Sequence, residues 1–264
     1  MNKSDEEISL SLPERHSRIL SLLQQSGSIS VTQLAERFRV SEVTIRKDLS
    51  YLEQQKKLYR THGSAILISP YISDRHVNEK EKKNVVEKQA IGVAAAALIE
   101  RNDSIIIASG TTMAFLAREI KPDGRLTVIT AAVPVTQILS QNPDIDVIQL
   151  GGITRTSSVS VVGPFAEQML RNFNCSKLFF GVDGIDPEFG MTTTNMLEAS
   201  LNRAMIEAAQ KVVVLADNSK FGRRGFSKIC DLESVDRIIT DSNIQPLYLE
   251  RLRERGIEVT VVDL

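Results

Sequence analysis

The chain has 264 residues, of which 42% are hydrophobic and 25% are charged, and this balance excludes wholesale disorder. Its 32 Lys and Arg residues and 33 Asp and Glu residues leave a formal net charge of −1, so a surface that binds nucleic acid must be local. No apolar run is long enough to span a bilayer, the N-terminus is too polar for a secretory signal, and Cys175 and Cys230 are too few for a disulfide framework. We therefore expect a cytoplasmic protein with no membrane partner.

The N-terminal segment predicts three helices. Pro13 suits the first turn of a helix that ends near Gly27. Ser30 begins a Ser-Val-Thr-Gln capping box that opens a second helix, and Ser41 is a good N-cap for a third. The residues expected on the buried faces of the first and third helices are Ile19, Leu22, Leu23, Ile45, Leu49 and Leu52.

The segment that follows the third helix, residues 57–66, predicts a two-stranded wing. Its residues favour β-structure, and Gly63 interrupts them. Residues 13–69 contain nine Lys or Arg against five Asp or Glu, a formal charge of +4, so the remainder of the chain is acidic. A small basic module attached to a larger acidic body is typical of a tethered nucleic-acid-binding domain.

The third predicted helix carries a face suited to DNA. A helical wheel with Ile45 inward places Lys47 and Ser50 outward, and such side chains bind base edges or phosphates. An exposed charged helix face is usually only solvated, so the capped preceding helix, the tight turn and the wing carry this interpretation. The predicted DNA-contact residues are Thr32, Ser41, Val43, Thr44, Arg46, Lys47, Ser50, Lys57, Arg60 and His62.

Beyond the wing, the sequence predicts a linker and a larger α/β domain. The charged run at 80–84 is expected to be solvated and to lead into a helix. The predicted domains are 13–69 for the winged helix-turn-helix, 70–88 for the charged linker and the start of the linker helix, and 89–264 for the α/β domain that binds effector and oligomerises. This domain alternates β-branched runs with helical patterns, which is typical of a mostly parallel sheet. The predicted strands are 104–108, 126–130, 146–150, 177–182, 211–216, 237–240 and 258–262.

Polar clusters follow four of these strands and favour one ligand pocket, because open α/β sheets bind ligands beyond the carboxyl ends of their strands. Gly110 follows a strand and opens a helix, so backbone N–H groups there suit an anion, and Arg155 suits a phosphate. Each cluster taken alone is also consistent with an ordinary loop. The predicted effector-binding residues are Ser109, Gly110, Thr111, Thr112, Gly151, Gly152, Arg155, Asp183 and Lys220.

Two parts of the chain resemble one known family. Residues 41–49, Ser-Glu-Val-Thr-Ile-Arg-Lys-Asp-Leu, resemble the winged helix-turn-helix of the DeoR family of bacterial transcription regulators, and residues 60–65 are similar to its wing. Ser64 replaces the second Gly of that wing, and Lys56 stands where a Gly commonly ends the recognition helix. The C-terminal half resembles the sensor domain of the same family, which is similar in fold to ribose-5-phosphate isomerase, through its Ser-Gly-Thr-Thr, Gly-Gly and Asp-x-Ser-Lys-Phe motifs.

The resemblance implies a phosphorylated sugar or related metabolite as inducer. The implied phosphate site is 110–112, and the sugar hydroxyls are implied to lie near Asp183 and Lys220. Ala108 and Ala132 stand where many members carry polar side chains, so the sugar specificity of this chain is expected to differ.

We therefore expect a transcription regulator that represses a sugar-utilisation operon and is relieved by a phosphorylated sugar. A single winged module buries little DNA surface, so a homo-oligomer, dimer or tetramer, is expected on double-stranded operator DNA. The alternative is an isomerase-like enzyme with an appended DNA-binding domain, for which Asp183, Asp186 and Lys220 are suitable acid–base types, although the isomerases' Lys-Gly-Gly run is missing. A DNA-bound architectural protein without a ligand is a third possibility. No metal or other cofactor is predicted, since the three His residues lie outside the pocket half.

Overall fold

Two units make up the structure, which is a computed structural model of the chain: residues 1–69 and residues 70–264. Gly27, Lys56 and His62, which the sequence predictions name, and the predicted domain boundary at 69–70 lie outside the described residues. The described residues are 11–26, 28–55, 57–61, 63–67 and 77–264.

The described residues of the first unit form three helices, and two of them begin at the predicted caps. The Ser30 side chain accepts a hydrogen bond from Gln33 N at 3.1 Å while the Gln33 side chain accepts one from Ser30 N at 3.0 Å, which confirms the capping box. Ser41 Oγ accepts from Thr44 N at 3.1 Å. The elements are α1 (Leu12–Ser26), β1 (Ser28–Ser30), α2 (Val31–Phe38), α3 (Glu42–Gln54), β2 (Leu58–Thr61) and β3 (Ser64–Leu67).

The wing contains one strand more than predicted. β3 lies between β1 and β2 and pairs with both in the antiparallel sense. The antiparallel pair β2 and β3 confirms the predicted two-stranded wing, and β1 adds a third strand. The sequence does not predict β1, because a strand of three residues is too short to show an alternating pattern. Val31 N also donates to Gly63 O at 2.8 Å, which holds the start of α2 against the turn of the wing.

A charged contact ties α1 to α3 at the edge of the first core. Arg15 donates from Nε and Nη2 to the two oxygens of Asp48 at 2.6 and 3.0 Å, and His16 Nε2 lies 3.0 Å from Asp48 Oδ1. Asp48 is only 3% exposed. Burial raises the pKa of Asp48, but the hydrogen bonds from Arg15 and His16 outweigh it, and the pKa lies below its ordinary value. His16 also stacks on Tyr51 with ring centroids 5.1 Å apart.

The second unit is built on a seven-stranded sheet in which every pairing is parallel. Each predicted strand is present with its ends within two residues of the prediction, and the expected α/β fold is confirmed. In spatial order the strands are β15 (Glu258–Val262), β14 (Arg237–Asp241), β12 (Ala209–Leu215), β9 (Cys175–Phe180), β4 (Ser104–Ile107), β5 (Leu126–Thr130) and β6 (Ile145–Gln149).

Apolar clusters cover both faces of this sheet, and neighbouring residues of one strand belong to opposite clusters. Ile106 and Phe180 lie in one cluster, while Ile107 and Phe179 lie in the other, as the two-residue period of a strand requires. The remaining elements are α4 (Val77–Glu81), α5 (Val85–Ala96), α6 (Thr111–Glu119), α7 (Val133–Leu139), β7 (Ile153–Arg155), β8 (Ser160–Val162), α8 (Pro164–Leu170), β10 (Gly184–Asp186), β11 (Gly190–Thr193), α9 (Met196–Glu207), β13 (Ser227–Cys230) and α10 (Pro246–Glu254). Among the helices of the described ranges, none is long and apolar enough to cross a membrane.

The charged run at the start of the second unit is only partly solvated. Lys82 and Lys83 are exposed as predicted, but Lys80 Nζ donates to Asp183 Oδ1 at 2.8 Å. Lys88 is 4% exposed, and its ammonium donates to the backbone carbonyls of Lys80 and Lys83. The prediction of a solvated run was therefore wrong at Lys80, because this side chain has a buried carboxylate as its partner.

Replacing Asp48 with Asn should destabilise the first unit by about 3 kcal/mol, because the nearly buried Arg15 guanidinium then lacks its anion. Hydrogen exchange of the α1 and α3 amides in the full chain measures the loss, and Glu36→Gln, at an exposed acid of α2, is the matched control. Because the folded state lowers the pKa of Asp48, its ionised carboxylate stabilises the fold at pH values above the unfolded-state pKa. This stabilisation is lost as the pH falls through the folded-state pKa. The difference in stability between Asp48→Asn and wild type should therefore shrink below about pH 4. Equal hydrogen exchange of the two proteins at pH 7 would contradict a stabilising ion pair between Arg15 and Asp48.

Candidate nucleic-acid interface and ligand site

The outward face of α3 is exposed as the helical wheel predicts. Ile45 and Leu49 are fully buried, while Val43 and Tyr51 on the opposite side are 58% and 50% exposed. This face forms a shallow open depression, and its lining residues are Val43, Arg46, Lys47, Ser50, Tyr51 and Gln54. Cationic, hydroxyl and apolar groups thus share one accessible helix face, as base reading in a major groove requires.

Glu42, which the sequence analysis does not assign, contacts two of the predicted DNA-contact residues. Arg46 Nη2 donates to Glu42 Oε2 at 2.6 Å, and Thr32 Oγ1 donates to Glu42 Oε1 at 2.9 Å. The spacing of four residues between Glu42 and Arg46 is the signal that predicts this pair. Arg46 and Glu42 are both well exposed, and such pairs contribute about 0–1 kcal/mol, so a phosphate or a guanine edge can displace the carboxylate.

The wing contacts α3 through Arg60. Its backbone N–H donates to Glu53 Oε1 at 2.9 Å, and its guanidinium donates to Ser50 Oγ. Ser50 Oγ in turn donates to Arg46 O at 2.8 Å, so this hydroxyl fixes the wing against the helix. Lys57 is exposed at the start of the wing.

Two further predicted contact residues serve the N-terminus of α3. The hydroxyls of Ser41 and Thr44 lie 2.9 Å apart, and Ser41 also caps the helix. Both hydroxyls are therefore engaged within the protein. His62, the remaining predicted contact, lies outside the described residues.

In the second unit, the start of α6 has the form of an anion site. Gly110 precedes the helix with φ +132°, a conformation that favours glycine, and among the described residues no side chain caps the first turn. The N–H groups of this turn are therefore left for another acceptor. Thr111 and Thr112 are each 8% exposed, so their hydroxyls are nearly buried beside it.

Asp183, which follows β9, is a carboxylate with hydrogen-bond partners on both oxygens. Its Oδ2 accepts from Thr193 Oγ1 at 3.1 Å, from Thr194 N at 3.2 Å and from Thr194 Oγ1 at 3.3 Å. Its Oδ1 accepts from Lys80 Nζ at 2.8 Å. Burial raises the pKa of Asp183, but the charges of Lys80 and Lys220 together with these hydrogen bonds lower it to about 2. Asp183 is therefore ionised at every physiological pH.

Arg155 pairs with Glu198, an acid that the sequence analysis missed. Arg155 Nη1 donates to Glu198 Oε2 at 2.6 Å, and Ser109 Oγ donates to Glu198 Oε1 at 3.3 Å. The two charged side chains are only 10% and 16% exposed. Burial and the charge of Asp183 raise the pKa of Glu198, and Arg155 opposes them. The structure thus brings the predicted residues Ser109, Arg155 and Asp183 together around Glu198.

Gly152 and Lys220 have different surroundings. A Cβ at Gly152 would lie 2.7 Å from Val162 O, so this glycine permits close packing in the β7–β8 hairpin, and Gly151 beside it is exposed. Lys220 is half-buried in the turn Asn218–Lys220, and its charge acts on Asp183. Lys220 therefore adds to the positive potential around the carboxylate.

Asp186 has a structural role. It is fully buried, and Arg224 donates to its two oxygens from Nε at 2.7 Å and from Nη2 at 3.0 Å. Its Oδ1 also accepts from the N–H groups of Glu188 and Phe189, both at 2.9 Å. These bonds hold the β10–β11 turn, so Asp186 is unsuited to the acid–base role that the isomerase alternative gives it.

The cysteines are unreactive in this fold. Burial raises the pKa of Cys175 to about 11 and that of Cys230 to about 12, so both stay protonated near neutral pH. Within the described ranges, no group of three or more His, Cys, Asp or Glu side chains is arranged to hold a metal ion.

Both units match described families. Residues 15–71 match the DeoR-like helix-turn-helix domain, and residues 83–242 match the DeoR C terminal sensor domain. These two matches account for most of the chain and meet the expectation that the resemblance raised.

Full-length relatives agree with the domain matches. The chain is 39% identical over 251 residues to the uncharacterized HTH-type transcriptional regulator YulB of Bacillus subtilis, covering 95% of this chain and 97% of the relative. It is 37% identical over 252 residues to a putative aga operon transcriptional repressor of Escherichia coli O157:H7, covering 94% and 93%. A ribose 5-phosphate isomerase A from Methanocaldococcus jannaschii aligns over 55% of each chain with 16% identity and a TM-score of 0.37, which is too distant to carry an argument.

Replacing Arg155 with Met should destabilise the second unit by about 3 kcal/mol at pH 8, because Glu198 then stays buried without its cation. An acid with a raised pKa stabilises the fold below its unfolded pKa, and this contribution is lost as the pH rises through the folded pKa. Since Arg155→Met raises the pKa of Glu198 further, the variant's deficit should be smaller at pH 5 than at pH 8. Thermal unfolding at both pH values measures it. Adding Glu198→Gln to Arg155→Met should restore stability at pH 8. If the loss of stability in Arg155→Met is the same at both pH values and persists in the double variant, the pairing of Arg155 with Glu198 is contradicted.

Proposed function

This chain belongs to the DeoR family of transcriptional regulators, and we propose that it represses a sugar-utilisation operon and leaves its operator when a phosphorylated sugar binds the sensor domain. The relatives that it matches over nearly their whole length are named as transcriptional regulators, which confirms the prediction of a regulator rather than an enzyme. One of them is named as a putative repressor of the aga operon, and another as a lactose phosphotransferase system repressor of Streptococcus mutans.

The exposed face of α3 is the observation that carries the DNA-binding part of the proposal. Arg46 and Lys47 are exposed beside Val43 on a helix whose N-terminus is capped and whose opposite side is buried in the core. Such a helix enters a major groove as a rigid body, so its side chains meet base edges in a fixed register. Lys57 and Arg60 of the wing are proposed to contact phosphates, which positions the module without reading sequence.

The uncapped start of α6 supports a phosphorylated effector. We propose that its N–H groups and the hydroxyls of Thr111 and Thr112 bind the phosphate, with Arg155 adding positive charge nearby. Asp183, ionised and nearly buried, is proposed to accept hydrogen bonds from the sugar hydroxyls. Because the phosphate and the sugar hydroxyls are proposed to bind different groups, a site for an anion can also contain the carboxylate of Asp183.

The remaining proposal concerns assembly. Phe226, Phe165 and Met196 are large apolar side chains of the second unit that are 78%, 72% and 64% exposed. We propose that they contribute to a homo-oligomer, dimer or tetramer, which places two or more recognition helices on repeated half-sites. DNA as partner also supports the cytoplasm as the site of action.

Replacing Arg46 with Ala should weaken binding to operator DNA by about 1–3 kcal/mol if one base contact is lost. The measurement is fluorescence anisotropy with duplexes that tile the regions upstream of the chain's own gene and its neighbours. Arg37→Ala, at an exposed arginine of α2, removes the same charge and should have a smaller effect. Glu42→Gln, which weakens the hold on Arg46, should raise affinity for a random duplex. Equal affinities for Arg46→Ala and Arg37→Ala would remove Arg46 from the reading face.

Sugar phosphates should raise the melting temperature of the protein and release it from the operator. The panel is ribose 5-phosphate, glucose 6-phosphate, fructose 6-phosphate and galactose 6-phosphate, with inorganic phosphate and the four unphosphorylated sugars as controls. Ligand at 100 times its dissociation constant stabilises a fold by about 2.7 kcal/mol, which a thermal-shift assay resolves.

Thr112→Glu should abolish this response while DNA binding persists, because a second anion occupies the start of α6. Gln141→Glu, at an exposed residue outside the site, adds the same charge and should respond as wild type. A Thr112→Glu variant that still releases DNA on addition of the active compound would show that the phosphate binds elsewhere.

A further inference from the structure

The segment between the first described residue of the second unit and α5, residues 77–84, lies across the loops that surround the proposed effector site; we call it the strap. Three of its residues donate hydrogen bonds to three different loops. The pairs are Val77 N to Ser157 O at 2.6 Å, Lys80 Nζ to Asp183 Oδ1 at 2.8 Å, and Asn84 Nδ2 to Asp217 Oδ1 at 2.8 Å. These acceptors follow β7, β9 and β12, so one short segment is hydrogen-bonded to the loops that follow three strands.

The strap is also attached to the proposed phosphate helix. Glu81 of the strap accepts a hydrogen bond from Arg118 Nη2 of α6 at 3.1 Å. Lys88 of α5, 4% exposed, donates to the backbone carbonyls of Lys80 and Lys83 and so fixes the turn between α4 and α5. A displacement of Lys80 therefore alters the hydrogen bonds of this turn.

The hydrogen bonds of Asp183 determine how a ligand can reach it. Oδ2 already accepts three hydrogen bonds, two from Thr194 and one from Thr193, while the contact to Oδ1 comes from Lys80. A sugar hydroxyl that binds this carboxylate therefore meets Oδ1, on the side of the carboxylate where Lys80 Nζ lies. Because Lys80 is 30% exposed and flexible while Asp183 is nearly buried, the lysine is the partner that moves.

The strap follows the DNA-binding unit in the chain, and this position connects the competition for Asp183 with operator binding. The chain passes from the unit that carries the recognition helix to the second unit at residues 69 and 70, and the strap begins at Val77. The strap is thus the first described segment of the sensor unit that follows the DNA-binding unit. A change in the strap therefore affects the described sensor-unit segment that is nearest in the chain to the DNA-binding unit.

We propose that Lys80 is a ligand-responsive residue: an effector hydroxyl competes with it for Asp183 Oδ1, and loss of this ion pair loosens the strap and lowers operator affinity. The proposal rests on the function proposed above and names the regulation of that site. A ligand with a preference for the loosened arrangement shifts the population toward it, and the same coupling makes operator DNA weaken ligand binding.

The test compares three full-length variants by hydrogen-exchange mass spectrometry of the amides of residues 77–88. Lys80→Gln removes the ion pair, Lys80→Arg retains a cation, and Lys82→Gln removes the same charge from an exposed neighbour. Without any added compound, Lys80→Gln should accelerate exchange in the strap by about tenfold, since hydrogen bonds to charged groups are the stronger ones. Lys80→Arg and Lys82→Gln should exchange as wild type.

The second arm adds the panel compound that raises the melting temperature most. Wild type and Lys82→Gln should then exchange faster in the strap and bind the operator more weakly, whereas Lys80→Gln should already exchange fast and bind DNA weakly without the compound. Equal exchange in Lys80→Gln and Lys82→Gln, or strap exchange that the bound compound leaves unchanged in wild type, overturns the inference while the proposed function stands. Failure of the whole panel to shift the melting temperature overturns the proposed function, and the ligand competition with it.

Discussion

The parallel direction of all seven strands of the central sheet is the constraint on which the sensor unit depends. Parallel strands place all their carboxyl ends at one edge, so residues far apart in the chain meet there: Ser109 after β4, Asp183 after β9 and Asp217 after β12. The sheet is buried on both faces, which leaves this edge as the place where polar groups collect. Loop residues at this edge can therefore differ without disturbing the core.

Both functional surfaces pair their cations with acids of the same chain. On α3, Glu42 holds Arg46; in the sensor unit, Glu198 holds Arg155 and Asp183 holds Lys80. The three pairs differ in burial, and burial determines their consequences. The exposed pair on α3 contributes little to stability, whereas breaking one of the sensor pairs costs more because the remaining charge stays out of water. A ligand that opens such a pair must supply hydrogen-bond partners for both separated groups, and a molecule with an anion and hydroxyls offers an acceptor for the cation and donors for the carboxylate.

The sequence predicts local features well and long-range partners poorly. The caps at Ser30 and Ser41 and the seven strands depend on residues within a few positions of each other, and the structure has them where predicted. The partners of Arg155 and Lys80 lie 43 and 103 residues away, and no spacing rule identifies them. The third wing strand was missed for a related reason, since three residues become a strand only through pairing with β3. Side chains predicted to contact ligands also proved to have partners inside the protein.

The loop that carries Asp183 is much more tightly constrained than the strap that contacts it. A Cβ at Gly184 would lie 2.4 Å from Arg223 O, and one at Gly190 would lie 2.3 Å from Cys230 O, so the backbone around β10 and β11 is closely packed at both glycines. Asp183 N donates to Thr192 O at 2.9 Å, which adds a further restraint. Lys80 by contrast has a long flexible side chain on a five-residue helix. When a ligand competes for the carboxylate, the displacement is therefore expected on the strap, because the other side of the ion pair is more closely packed and more extensively hydrogen-bonded.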